Sequence, residues 1–247
     1  MGTIKHAHSS SLYSESAASL ADQVERGVEA EDPSATVMTF TEVGSDSRTQ
    51  VLKDADPDEW AAWVPSQSDV GIMWRKSEFG PVWKEAHKLT DKVWTDGQGR
   101  THETWCATAL LERDDGKTLF LSVCHLPSNV QNGNSFEDNK QAAAWKSACS
   151  GWSNYWNNKR QKDHPHMALI VADWNVDFFS STWRDRVQEY FPSMFLGWKG
   201  SMPPNGQGTH GNRLIDGTMA TVKTNWCDLL KDDNSSDHRP YGEALQW

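Results

Sequence analysis

The sequence predicts an α/β fold in which two β-sheets pack face to face with helices outside. Three observations carry this expectation. About ten apolar or β-branched segments of strand length alternate with helical patterns along the chain. Segments 104–112 and 118–126 are apolar at consecutive positions, so both faces of that hairpin need covering. The 247 residues contain no evident linker or repeat, and a single core supports that length, so one domain is expected over residues 1–247.

Thr3 to His8 reads as a short strand. Ala17, Leu20, Ala21, Val24 and Val28 stand at helical spacing, which predicts a helix over 14–29 that stops at Asp32-Pro33. Ala35 to Val43 is a β-branched strand. Ser47 to Trp63 reads as a second helix with Pro57 inside it, and Asp69 to Arg75 as a strand. The polar, Trp-bearing stretch up to residue 103 has no clear pattern.

Thr104 to Glu112 and Thr118 to Leu126 form a hairpin. A two-residue Asp115-Gly116 turn would set Cys106 opposite His125 and Cys124 opposite Ala107. That register disfavours a cross-strand disulfide. With Cys149 and Cys227 also isolated and no CxxC pair, buried free thiols are the expectation.

Ser135 to Asp138 resembles a capping box opening a helix. Trp145, Ala148, Trp152, Tyr155 and Trp156 form one stripe of that helix, expected to face the core. Met167 to Ala172 is a buried strand, Ser181 to Tyr190 a helix, and 192–212 a Gly/Pro-rich loop. Strands at Arg213–Val222, Asn225–Leu230 and Tyr241–Trp247 complete the chain.

Composition narrows the function classes. Fourteen Trp and eight Phe argue against disorder, although mean hydropathy is −0.71. A net charge of −10 excludes a broadly basic coat, so a polyanionic substrate would need a local patch or a bound cation. The start MGTIKHAHSSSLYSES has no apolar signal segment, and no apolar run reaches membrane length. A soluble, cytoplasmic protein with no membrane anchor and no obvious protein partner is expected.

Polar residues mark the ends of several strands. Glu42 follows VMTFT, His125 ends LFLSVCH, Asp173 and Asn175 end ALIVADWN, Asp216 interrupts RLIDG, and Asp237-His238 stands in SSDHRP. Singly, each has a plainer explanation as a turn residue, a solvated charge, a bulge or a core histidine. SSDHRP is more specific, and the order Glu, His, Asp-x-Asn, Ile-Asp, Ser-Asp-His is more specific still. Strand ends gather on one rim, and carboxylates gathered there call for an oxygen-loving cation such as Mg, Mn or Ca.

That ordered set resembles the endonuclease/exonuclease/phosphatase (deoxyribonuclease I-like) superfamily. TFTEV, DVGIMWR, SVCHLPS, LIVADWN, GNRLIDG and SSDHRP carry the resemblance over about residues 35–247. It implies a four-layer α/β sandwich of two mainly antiparallel sheets and a phosphoric-ester hydrolase that uses Mg or Mn. By position, Glu42 is the expected metal ligand, assisted by Asp237. Asp173 is the expected acceptor of the attacking water's proton, while Asn175 and His125 bind phosphate oxygens. Asp216 is expected to orient His238. Thr41 and Ala172 replace the usual Gln and Gly. His8, or less well His6, stands where an Asn usually helps hold the metal, and Ile4 and Ala7 fit the pattern in favour of His8.

The implied substrate is DNA or RNA. A phospholipid or small phosphoester is the alternative, and a degenerate, non-catalytic binding module the second. Arg75-Lys76, Lys159 to Lys162 and Arg184 with Arg186 are the candidate backbone contacts.

Overall fold

Strand β1 (Thr3–Ser10) begins the sheet that the apolar periodicity predicts. The computed structural model describes residues 3–10, 35–44, 46–132, 135–200, 202–204, 206–229 and 237–247. The helix expected over 14–29 lies outside the described residues.

The described elements continue with β2 (Val37–Thr41), α1 (Asp46–Asp54), β3 (Trp60–Trp63), β4 (Gly71–Arg75) and β5 (Gly80–Lys88). Next come β6 (Trp94–Thr95), β7 (Thr101–His102), β8 (Trp105–Glu112), β9 (Thr118–His125), β10 (Gln131–Asn132) and β11 (Ser135–Phe136). Helix α2 (Lys140–Asp163), β12 (Met167–Asp173), α3 (Ser181–Tyr190), β13 (Phe195–Leu196) and a 3-10 turn (Gly197–Gly200) follow. The chain closes with β14 (Asp216–Ala220), β15 (Thr224–Leu229) and β16 (Tyr241–Gln246).

Two six-stranded sheets result, ordered β15-β16-β1-β2-β4-β3 and β13-β14-β12-β9-β8-β5. Among the described strands only β1–β2 and β12–β9 pair in parallel, so both sheets are mainly antiparallel as expected. Period-two alternation sorts the side chains into layers. Leu119, Leu121 and Val123 of β9 meet Ile4, Val37 and Ile72 between the sheets. Phe120 and Cys124 point the other way, into the cluster that holds Trp145, Trp152 and Trp183 of α2 and α3. Met38, Phe40 and Met73 pack with Leu52 of α1 on the far face of the first sheet. The result is a four-layer sandwich, helix–sheet–sheet–helix. Each fully buried aliphatic side chain contributes about 1.5–3 kcal/mol. No described helix is long and apolar enough to cross a membrane.

Local chemistry changed four expectations. The helix expected over Ser47–Trp63 ends at Asp54. Asp56 takes a left-handed φ of 41°, Pro57 follows, and Trp60–Trp63 pairs with β4 instead. The β8–β9 loop has three residues, with Gly116 at φ 77° and Arg113 N–H bonded to Lys117 O at 2.9 Å. The extra residue moves the register by one, so Cys106 faces Cys124 rather than His125. All four cysteines are nevertheless buried free thiols. Ser135 does not cap α2; it lies in β11, and Asn139 Oδ1 accepts from Ala142 N–H at 2.9 Å. The unpatterned stretch before residue 103 holds β5, the edge strand of the second sheet, and the β6–β7 hairpin.

Candidate active site

Topology explains why the polar strand ends meet. Parallel pairing aligns Asp173 with His125, and antiparallel pairing aligns Asp173 with Asp216. In the first sheet β1 and β2 run in parallel while β4 opposes them, so the start of β4 and the end of β2 share that rim. Buried tryptophans fix the backbone behind it. The Trp198 indole donates to Asp216 O at 2.8 Å and the Trp174 indole to Gly217 O at 2.9 Å. Thr209 Oγ1 accepts from both Ile215 and Asp216 N–H at 3.0 Å.

The rim encloses a cleft of about 430 Å³. Glu42, His125, Asp173, Asn175, Asp237 and His238 line it, together with Asp69, Trp94, Asp96, His102, His210 and Arg213. Two acid–histidine pairs dominate its electrostatics. His238 Nδ1 donates to Asp216 Oδ2 at 2.8 Å. Burial opposes charge on that ring, but Asp216 and then Asp173 outweigh it and raise its pKa to about 10. Burial likewise disfavours charge on Asp216, yet the His238 charge holds it well below the usual carboxylate range.

His125 Nδ1 donates to Asp69 Oδ2 at 2.8 Å. There too burial is outweighed, by Asp69 first and then Glu42 and Asp173, and the pKa rises to about 10. Both rings are therefore cationic at neutral pH. His125 turns Nε2 toward Glu42 Oε1 and Asp173 Oδ2, each at 3.8 Å.

Asp173 behaves differently. Burial, reinforced by the Asp216 charge, raises its pKa to about 7 despite the two imidazolium rings. Asn175 adopts φ 54°, which lets its N–H bond Asp173 Oδ1 at 3.0 Å while its side-chain amide donates to Leu126 O at 2.9 Å. Glu42 also holds a left-handed φ, 62°, and Arg48 binds its carbonyl at 2.6 Å. Such strain at the end of a buried strand aims a side chain into the cleft at a cost of order 1–3 kcal/mol.

The residues fit a divalent cation. Five carboxylates, Glu42, Asp69, Asp96, Asp173 and Asp237, line the cleft against two cationic imidazoles and two arginines. Ligand atoms of Glu42 and Asp173 lie within 4.8 Å of each other and of the His238 ring. With that ring cationic, the two carboxylates are the ligands on offer. His210, Asp237 and His238 form a second such group. The second group suits an ion less well. Arg213 donates to His210 Nδ1 at 3.3 Å, so His210 Nε2 carries the proton that it shares with Asp237 Oδ2 at 3.0 Å. His210 thus orients Asp237.

Seven of the eight expected site residues share this rim. His8 does not line the cleft. Buried at 1% exposure, it binds Thr39 Oγ1 through Nδ1 at 2.8 Å and turns Nε2 toward Asp216 Oδ1 at 3.5 Å. Its ring faces Asp216 and not the cleft.

Most of the suggested backbone contacts are engaged elsewhere. Arg75 pairs with Glu59 at 3.0 Å, Lys159 with Glu85 at 2.8 Å, and Arg184 with the carbonyls of Phe178 and Phe179. Arg186 stacks on Phe136 and Trp183. Arg100 and Arg213 are the arginines that line the cleft. Sequence reasoning missed Asp69 as well. Its signal was the same as the others', a carboxylate against the end of an apolar strand.

No family model matches the sequence, and no curated protein matches it. Solved structures do match. An endonuclease/exonuclease/phosphatase family protein from Bacteroides thetaiotaomicron superposes with TM-score 0.71 at 15% identity, over 99% of this chain and 97% of that one. The chain has the endonuclease/exonuclease/phosphatase fold. D. rerio TDP2 complexed with a single-strand DNA product shares this fold with TM-score 0.71 at 14% identity, covering 100% of both chains. A mannosyl-6-phosphatase from Bacteroides thetaiotaomicron shares it too, with TM-score 0.70 at 14% identity over 99% of this chain and 100% of that one. At these identities the likeness is one of fold.

Proposed function

We propose that the chain is a divalent-metal-dependent phosphodiesterase that hydrolyses DNA or RNA. One observation carries the reading. Two cationic imidazoles, each locked by its own carboxylate, converge with Asp173 and Glu42 on one open cleft. That arrangement suits a phosphoryl group, whose oxygens gain negative charge as water attacks.

His238 and His125 present Nε2–H to the phosphoryl oxygens. Because both rings stay charged near neutrality, neither is the base. Asp173, raised to about 7, takes the proton of the attacking water. Asn175 aligns Asp173 through its backbone N–H. Glu42, assisted by Asp237, would hold the cation, which when bound supplies Lewis-acid stabilisation of the leaving oxygen.

The TDP2 structure with a DNA product favours nucleic acid as substrate. The mannosyl-6-phosphatase favours a second reading, a small phosphoester. The test is nicking of supercoiled plasmid, run beside phosphate release from a sugar phosphate. Plasmid nicking should vanish with EDTA and return with Mg or Mn. Undiminished hydrolysis in excess chelator would overturn the metal-dependent reading. Activity on the sugar phosphate alone would support the second reading, and none on either would leave a binding module.

A further inference from the structure

Behind the cleft lies a buried polar chain that the chemistry above does not use. His6, His8, Thr39 and Glu243 are exposed by 2%, 1%, 0% and 1%. His6 and His8 stand two apart on β1 and so share one face of the strand. Register places His6 opposite Glu243 on β16 and His8 opposite Thr39 on β2. His6 Nδ1 meets Glu243 Oε1 at 2.7 Å, and His6 Nε2 meets Thr39 Oγ1 at 2.8 Å. The same hydroxyl meets His8 Nδ1 at 2.8 Å. His8 Nε2 then faces Asp216 Oδ1 across 3.5 Å, and neither atom has another hydrogen-bond partner. Tyr241 packs against both rings, and burial keeps its phenol neutral.

With both rings neutral and both carboxylates ionised, His6 donates to Glu243, Thr39 to His6, and His8 to Thr39. Every proton is then used. His8 Nε2 would turn a bare lone pair toward a buried carboxylate, leaving two unsatisfied buried atoms and an unneutralised Glu243. One added proton reverses the middle of the chain. His6 then donates at both nitrogens, Thr39 donates to His8 Nδ1, and His8 Nε2–H donates to Asp216. Glu243 also gains a charged partner, which a buried carboxylate requires. Burial disfavours charge on His8, and it is the His6 ring that meets the Glu243 carboxylate, at 2.7 Å, so the added proton sits beside Glu243.

We propose that Glu243, His6, Thr39 and His8 form a buried relay that holds one proton more than its neutral rings supply and presents His8 Nε2–H to Asp216, so that the carboxylate aligning His238 is held at both oxygens. His8 is thus a positioning residue. Its effect on rate rests on the proposed phosphodiesterase reading, whereas the proton placement does not.

The test uses the full chain with 15N-labelled histidine, in chelator and then with Mg. Wild-type His6 should show two protonated nitrogens, and His8 one, on Nε2. Glu243→Gln should return His6 to a neutral ring. His8 protonated on Nδ1, or His6 neutral in the wild type, would overturn the relay. The wild-type spectrum decides this even where Glu243→Gln fails to fold. In the rate arm, His8→Leu should lower kcat on the order of tenfold, the low end for residues that orient a reacting group from behind. His8→Gln should recover most of that loss through its amide N–H, with metal affinity unchanged in both. Equal losses in Leu and Gln variants would remove His8 as a donor to Asp216. Absence of hydrolysis by the wild type would sink the functional reading while leaving the nitrogen shifts to decide the relay.

Discussion

Asp216 and His238 act as one unit if a buried carboxylate 2.8 Å from Nδ1 is what keeps the ring charged. His238→Ala and Asp216→Asn should then each lower the rate by at least about 100-fold. The double variant should lose little more than the worse single one, since either change already removes the oriented cation. Strictly additive losses would show that the two work separately. The second pair makes a parallel claim through Asp69, which the motif reading passed over. In Asp69→Asn the largest source of positive shift at His125 is gone, so its pKa should fall from about 10 toward or below 6.5. NMR titration of the His125 ring measures this directly. An unchanged value would assign the shift to Glu42 and Asp173.

At the scale of elements, turn and cap chemistry decided what hydrophobic pattern left open. The start of α2 can be tested by substitution. Asn139→Ala should destabilise the fold by about 1 kcal/mol, the usual worth of an N-cap side chain. Ser135→Ala should leave the denaturation midpoint nearly unchanged, because Ser135 belongs to β11. The reverse ranking would restore the capping box. The apolar stripe of α2 was legible because a 3.6-residue period depends on nothing beyond the helix itself. Trp145, Ala148, Trp152, Tyr155 and Trp156 are all buried. The β8–β9 register was not legible to a single residue, because Asp-Gly fits both a two-residue turn and the last two positions of a three-residue loop.

Across the whole molecule, the histidines give folding a pH dependence of predictable sign. His125 and His238 have folded pKa values near 10 against an ordinary 6.5. The folded state therefore binds more protons than the unfolded one between those values. Their contribution is complete below pH 6.5 and is lost as pH rises toward 10. His8 has the opposite sign. Its folded pKa is lowered by burial, so its contribution is lost as pH falls below 6.5. In chelator, the denaturant midpoint should therefore decline from about pH 6.5 toward pH 10. A midpoint that is flat between pH 7 and 10 would mean that the two pairs do not form in the folded apoprotein.

The sequence by itself determined the layered α/β class, the burial of the Trp stripe, and which polar residues stand at strand ends. Those features follow from local periodicity and from the exclusion of charge from buried strands. It also carried the ordered motifs from Glu42 to His238, because their order along the chain survives without knowledge of contacts. Only the tertiary structure decided what meets what. Asp69 reaches His125 across 56 positions of sequence, Glu243 reaches His6 across 237, and the cationic state of His238 depends on Asp216 from another strand. His8 shows the difference most clearly. Its place in the chain aligns it with a ligand position, but the register of β1 against β2 and β16 sets the ring between Thr39 and Asp216 rather than in the cleft wall.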